Sequence, residues 1–161
     1  MTIDNLIDDL KIFCENAVKH LKLPTAVSKG DTEQIFRPPT GYKMRLPDGK
    51  SADKFVPYFI VQFLHSNHIQ KPGEKPKNTA VVRFIFCVWN NDAQEGGMAL
   101  LNFMETVRLE LLRKVNVSEY FKLDVNEPLE GLAYPDNTAP FFAGEMIGTF
   151  ELPPIKREVE F

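Results

Sequence analysis

Apolar residues recur every three or four positions at the start of the chain: Ile3, Leu6, Ile7, Leu10, Phe13, Cys14, Ala17, Val18 and Leu21. That spacing gathers them on one stripe and predicts an amphipathic helix over 3–22. Thr2 is placed to cap it. Asp4 suits its first turn, Lys19, His20 and Lys22 suit its last, and Pro24 stops it. Further on the period falls to two. Phe55–His65 is apolar on both faces, as a covered strand is. Pro57 lacks the N–H a ladder needs and belongs at that strand's start or on an exposed edge. Thr79–Asn90 is a second long strand, with Val81, Ile85, Cys87 and Trp89 on one face and Val82, Phe84, Phe86 and Val88 on the other. The polar segment Ser66–Asn78 joins the two, which predicts an antiparallel hairpin with a long tip.

Helical spacing returns over 93–115, where Leu100, Phe103, Met104, Val107, Leu111 and Val115 line one face and Leu101 and Leu112 widen it. Asp92 and Glu95 have capping-box spacing. Gly96 and Gly97 each disfavour the first turn by ~1 kcal/mol relative to alanine. Close approach of another backbone, the preceding strand, is the expected reason for them. Glu119–Val125 alternates as a strand, and Leu129–Leu132 continues it after Pro128. Phe141–Leu152 is the last strand. Phe142, Gly144, Met146, Gly148, Phe150 and Leu152 share one face, and Glu145 and Glu151 make the other partly wet. Residues 25–54 differ from the rest. Pro38-Pro39, Gly41, Pro47 and Asp48-Gly49 punctuate a charged arm, with short strands expected around Gln34–Arg37 and Tyr42–Leu46. These elements define an α+β fold. A mostly antiparallel sheet of about four to five strands carries an N-terminal helix and a central helix, in one domain over 1–161 with a Pro/Gly-rich arm at about 25–54.

Composition narrows the function. A formal net charge of −3 speaks against a broad nucleic-acid-binding face. No apolar run approaches the ~20 residues of a membrane-spanning helix. Asp4, Asp8 and Asp9 occupy the place where a secretion signal carries positive charge, so a soluble protein made in the cytoplasm is expected. Cys14 and Cys87 fall on apolar positions of a helix and a strand and read as buried thiols in a reducing compartment.

Candidate chemistry is sparse. His65 and His68 are three apart, but no Cys or carboxylate pair stands near them in sequence to complete a zinc site. Asp124, Glu127 and Glu130 are close in sequence, which leaves an acid pair of a small hydrolase as a minor alternative. Ser51, Ser66 and Ser118 lack the glycines of a nucleophile elbow, and Gly73, Gly96 and Gly97 form no phosphate loop. No catalytic, metal-binding or cofactor-binding residue is therefore assigned. Lys71, Lys75 and Lys77, interleaved with Pro72, Gly73 and Pro76, form a hairpin tip suited to packing on a neighbouring subunit. Phe141, Phe142 and Phe150, with Glu145 between them, crowd a strand expected at a sheet edge, where an apolar patch marks association.

Three segments together resemble the small tail-terminator, or tail-completion, proteins of tailed phages and prophages of Gram-positive bacteria. The first is Phe55-Val56-Pro57-Tyr58-Phe59-Ile60-Val61-Gln62. The second runs Val88-Trp89-Asn90-Asn91-Asp92-Ala93-Gln94-Glu95-Gly96-Gly97 and continues from Ala99 to Arg108. The third is Glu127-Pro128-Leu129-Glu130 followed by the run from Pro140 to Pro153. The likeness spans about residues 55–158, with Phe150 in the place of an aromatic residue in the family's final strand; the arm at 25–54 lies outside it. The resemblance implies a ring of copies, usually a hexamer, that caps the tail tube, ends its polymerisation and presents the head-proximal surface. Its partners would be itself, the major tail-tube protein and a head-completion or connector protein, with DNA passing through the channel and no membrane. It implies no catalytic residues. A head–tail connector or head-closure protein is the alternative within the same class. The expected location is the bacterial host cytoplasm during assembly and then the virion.

Overall fold

The computed structural model describes residues 1–27, 33–155 and 158. Residues 28–32 of the expected arm, and the charged tail after Ile155 apart from Glu158, lie outside the described residues. Helix α1 runs Ile3–Val18, and Asn5 Oδ1 accepts hydrogen bonds from the Thr2 backbone N–H at 3.0 Å and the Thr2 hydroxyl at 3.1 Å. It ends a turn earlier than its apolar stripe suggests. The Leu21 N–H closes onto the Val18 carbonyl at 2.9 Å, so Leu21 is buried from a turn rather than from the helix. Helix α2 spans Ala93–Lys114, and Asp92 Oδ1 accepts from the Gln94 and Glu95 amides at 2.9 and 3.0 Å, satisfying two of the first turn's unpaired donors.

The strands are β1 (Leu23–Pro24), β2 (Phe36–Arg37), β3 (Thr40–Lys43), β4 (Tyr58–Ile69), β5 (Lys77–Trp89), β6 (Lys122–Leu123), β7 (Glu130–Ala133) and β8 (Phe141–Leu152). β1 and β2 form a separate antiparallel pair. The main sheet has the order β3-β4-β5-β8-β6, with β7 also paired to β8, and only the β3–β4 pairing is parallel. The expected α+β fold with a mostly antiparallel sheet and two packed helices is what the structure has.

Both helices cover one face of the sheet, α1 over β3 and β4, α2 over β5 and β8. Phe59, Phe84, Phe86, Phe103, Phe121 and Phe150 are wholly buried there with Leu6, Leu10, Leu100 and Leu111. Phe86 meets Phe103 edge-on at 4.9 Å, an arrangement the ring quadrupoles favour. A smaller cluster of Phe55, Val56, Tyr58, Ile60, Cys87 and Trp89, flanked by Tyr42, Leu46 and Val27, covers one end of the second face. Both thiols are buried, and burial pushes the Cys87 thiol up to about 11 despite its hydrogen bond with Tyr58.

Besides the pairing of β3 with β4, one side chain ties the arm to the segment before β4. The Arg37 guanidinium donates from Nη1 to the Pro38 and Pro57 carbonyls at 3.1 Å each and to Thr40 Oγ1 at 2.7 Å. From Nη2 it donates to the Phe55 and Val56 carbonyls at 2.7 and 3.1 Å. These bonds satisfy the Phe55 and Val56 carbonyls of the segment that leads into β4, while the Pro57 carbonyl also accepts from the Thr40 N–H at 3.2 Å. Burial lowers the Arg37 pKa, with Tyr42 acting in the opposite sense.

Two expectations are corrected. β8 is not an edge strand: β5 pairs with it from Asn78↔Leu152 to Trp89↔Phe141, and β6 and β7 occupy its other side. Leu101 and Leu112 do not widen the core face of α2; they are 50% and 42% exposed, across the helix from Leu100, Val107 and Leu111.

Candidate assembly surface

The most prominent feature outside the core is the far end of the β4–β5 hairpin. The two strands pair from Tyr58↔Cys87 to Ile69↔Lys77, but β8 follows β5 only as far as Asn78. A bulge at Leu64 breaks the register between Phe63 and His65, and from there to Ile69 every β4 residue is exposed. The bulge adds one residue on β4 and re-aims the strand beyond it. The four residues of β3 pair only with Tyr58–Val61, and the Met44 sulfur accepts from the Phe63 N–H at 3.3 Å. Among the described residues nothing pairs the outer edge of β4 from Leu64 to Ile69. At the opposite side of the sheet β7 is fully exposed and, among the described residues, pairs with β8 alone. The sheet therefore ends in two open edges, each a template for another strand.

The predicted tip lysines separate into different roles. Lys71 stands exposed at the turn. Lys75 lines a 460 Å³ groove with Tyr120, Lys122 and Pro153-Pro154. Lys77 is committed to the protein itself: its Nζ lies 2.8 Å from Asp124 Oδ2, and the Asp124 side chain is only 1% exposed. The Asn126 N–H donates to the other oxygen at 3.1 Å. Oδ2 receives no hydrogen bond of ordinary geometry, so the lysine contact is an ion pair by distance. Burial alone would push the Asp124 pKa up; Lys77 and Asn126 outweigh it and hold the carboxyl below its ordinary value.

Of the aromatic candidates, Phe142 and Phe150 are corrected to core residues, 5% and 0% exposed, because the even positions of β8 face the helices. Phe141 is 37% exposed beside Trp89, Val27 and Pro140 in a shallow groove. Glu145, on the opposite face, lies 3.7 Å from Arg83, which also donates to Gln62 Oε1 at 3.0 Å.

The groups weighed for hydrolysis are partly assembled. His65, Asp124 and Glu127 line one 230 Å³ groove with Lys77 and Thr149, while His68 and Glu130 stay outside it. Among the described residues no three His, Cys, Asp or Glu side chains are grouped as metal ligands. Asp124 in that groove is used as the buried half of an ion pair that anchors the hairpin base. The glycine reading is also corrected. Gly96 is required by the Phe142 ring, not by the backbone of the strand before the helix, and nothing lies within 4 Å of where a Gly97 side chain would begin. Arg37 and the open β4 edge escaped sequence reasoning. A lone arginine before Pro38-Pro39 signals little, and edge exposure depends on how long β3 is.

No protein-family model matches this chain, and a search of curated proteins returns no match.

Proposed function

We propose that this chain is a structural assembly protein that associates head-to-tail into a ring of its own copies and caps a phage tail tube, ending polymerisation and forming the head-proximal surface. The observation that carries the reading is the pair of open sheet edges on opposite sides of the protomer, β4 beyond the bulge and β7. A ring needs two different surfaces that fit each other and close by rotation. An edge of one copy meeting the opposite edge of the next supplies both, through main-chain hydrogen bonds. The exposed Lys71 tip and the Lys75 groove flank that contact. The resemblance of residues 55–158 to tail-terminator proteins supplies the tube as partner and the hexamer as the expected ring. A protein of net charge −3 lining the channel lets DNA slide, because phosphate affinity comes from basic groups. On this reading the protein works in the bacterial host cytoplasm and then in the virion, and none of its described helices is long and apolar enough to cross a membrane.

The test is light scattering of the full chain, alone and with purified tail-tube protein. A ring-sized species, alone or at tube ends, is expected, and His68→Pro, which removes an outward-facing N–H of the open edge, should abolish it while the fold survives. A monomer that neither self-associates nor binds tube ends overturns the reading. Co-assembly with portal or capsid components in place of tube moves the protein to the head-closure class.

A further inference from the structure

Helix α2 is apolar on two opposite sides. Its core side carries Leu100, Phe103, Met104, Val107 and Leu111. Its solvent side carries Met98, Leu101, Leu109 and Leu112, which are 64%, 50%, 47% and 42% exposed. At about 100° per residue these four and Glu105 fall within roughly 80° of the helix circumference, a stripe about 21 Å long.

The stripe has an internal symmetry. Met98 and Leu112 lie seven residues either side of Glu105, and Leu101 and Leu109 lie four either side. Turned end for end about Glu105, the stripe maps onto itself. A two-fold contact centred on Glu105 therefore brings Met98 towards the copy's Leu112 and Leu101 towards the copy's Leu109, apolar against apolar.

The charges follow the same plan. Glu95 in the first turn and Arg113 in the last project on the same flank of the stripe, and an antiparallel pairing sets each against the other's copy. At the centre Glu105 carries its own counter-charge, with Arg108 Nη1 3.2 Å from Glu105 Oε2. Two copies therefore bring a neutral four-charge cluster to the axis. A parallel two-fold pairing would carry Glu95 and Arg113 to the flank opposite their copies and leave neither with a partner from the other molecule.

We infer that the outer stripe of α2 is a homotypic docking surface, whose occupant is the α2 stripe of a second copy, antiparallel and centred on Glu105. This inference does not rest on the ring reading. A two-fold contact cannot extend a head-to-tail ring; it pairs protomers, or joins two rings face to face. One helix face covers less than the ~800 Å² per partner of a standard interface, so the pairing is weak and depends on concentration.

Cysteine cross-linking of the full chain tests it, since the native Cys14 and Cys87 are buried. Glu105→Cys should give a disulfide-linked dimer on mild oxidation. Met98→Cys and Leu112→Cys should each stay monomeric and cross-link when mixed. Leu101→Glu should remove the Glu105→Cys cross-link. Arg113→Glu should weaken association roughly two- to thirtyfold through its two symmetric pairs, and Glu95→Arg combined with it should restore it. A folded Glu105→Cys protein that stays monomeric under oxidation overturns the proposal. So does a cross-link that survives Leu101→Glu, or a charge-swapped double variant that stays weak. Failure of the ring reading shows up separately: His68→Pro acts on the sheet edge and leaves the Glu105→Cys cross-link intact.

Discussion

Alanine at Gly97 and alanine at Gly96 are the same chemical change one residue apart, and their surroundings give them opposite expected effects. Both glycines sit in the first turns of α2, where glycine is less favourable than alanine by about 0.5–1 kcal/mol through the backbone freedom it loses. At Gly97 nothing stands within 4 Å of a new Cβ, so Gly97→Ala should recover most of that amount. For a chain of this size the gain corresponds to a rise in Tm of about 1–4 °C. At Gly96 the new Cβ would nearly overlap one ring carbon of Phe142 and lie 2.5 and 2.7 Å from two others. The ring cannot withdraw easily, because Phe142 is 5% exposed on a strand paired on both sides. Overpacking of this kind costs about 1–3 kcal/mol. Set against the propensity gain, Gly96→Ala should range from neutral to about 2 kcal/mol destabilising.

Urea unfolding followed by far-ultraviolet circular dichroism measures both variants, with an unchanged slope as the check that only stability has moved. Phe142→Leu supplies the control. If the ring is the obstacle, Gly96→Ala should be less harmful by about 1 kcal/mol in the Phe142→Leu background than alone. Additivity within about 0.3–0.5 kcal/mol would show the two residues are not coupled. Gly96→Ala stabilising as much as Gly97→Ala would refute the placement of α2 on β8.

Other variants probe the arm and the hairpin base. Arg37→Met should destabilise by roughly 1–3 kcal/mol, since it strands several carbonyls at once, and should raise proteolysis at residues 33–57 before the core is cut. Lys77→Met should lower the urea midpoint by leaving the buried Asp124 carboxylate without its cation. Asp124 has a depressed pKa, so its stabilisation is present above the ordinary Asp value near 4 and is lost as pH falls through the lower folded value. Urea titrations across that acid window should therefore show a stability loss that Asp124→Asn abolishes, and a slope equal to that of the native chain would contradict this. Paired Lys71→Glu and Lys75→Glu should leave Tm unchanged while reducing ring formation; a shifted Tm would mean the tip supports the fold itself.

The long elements were legible because their periodicity is strong. The last strand begins and ends where alternation from Phe141 to Leu152 places it, and α2 runs to within one residue of the expected end. The same alternation could not say what lay beside the strand. β8 is interior because two short segments, β6 and β7, fill one side of it, and segments of two and four residues carry almost no pattern of their own. The reading of Phe142 and Phe150 as surface residues failed for that reason. Leu101 and Leu112 failed differently: at helical spacing they are compatible with a wide core face, and only the width of the sheet beneath α2 decides that they miss it. Arg37 was illegible because its partners are backbone carbonyls about twenty residues away, and a carbonyl leaves no trace in residue type.

The distribution of packing also explains why the hairpin end suits assembly. Body and arm divide at Asn78, whose Nδ2 donates to the Pro153 carbonyl at 3.2 Å where the pairing with β8 ends. On the body side β4 and β5 are covered by both helices and share the aromatic core. Beyond it only the Ile69↔Lys77 pair forms a two-stranded ribbon before the turn; from Leu64 to His68 β4 is instead the uncovered outer strand of a sheet whose third strand is β8. The ion pair of Lys77 with Asp124 is the last tie holding the ribbon's base to the rest of the protein. Outside that tie the fold invests little, so the sequence there is free to serve something else. The bulge at Leu64 and the exposed run to Ile69 contribute little to the core. A strand from a second molecule laid along that edge would pair the open backbone groups of β4 and supply the outer neighbour that β3, paired only with Tyr58–Val61, does not reach far enough to be.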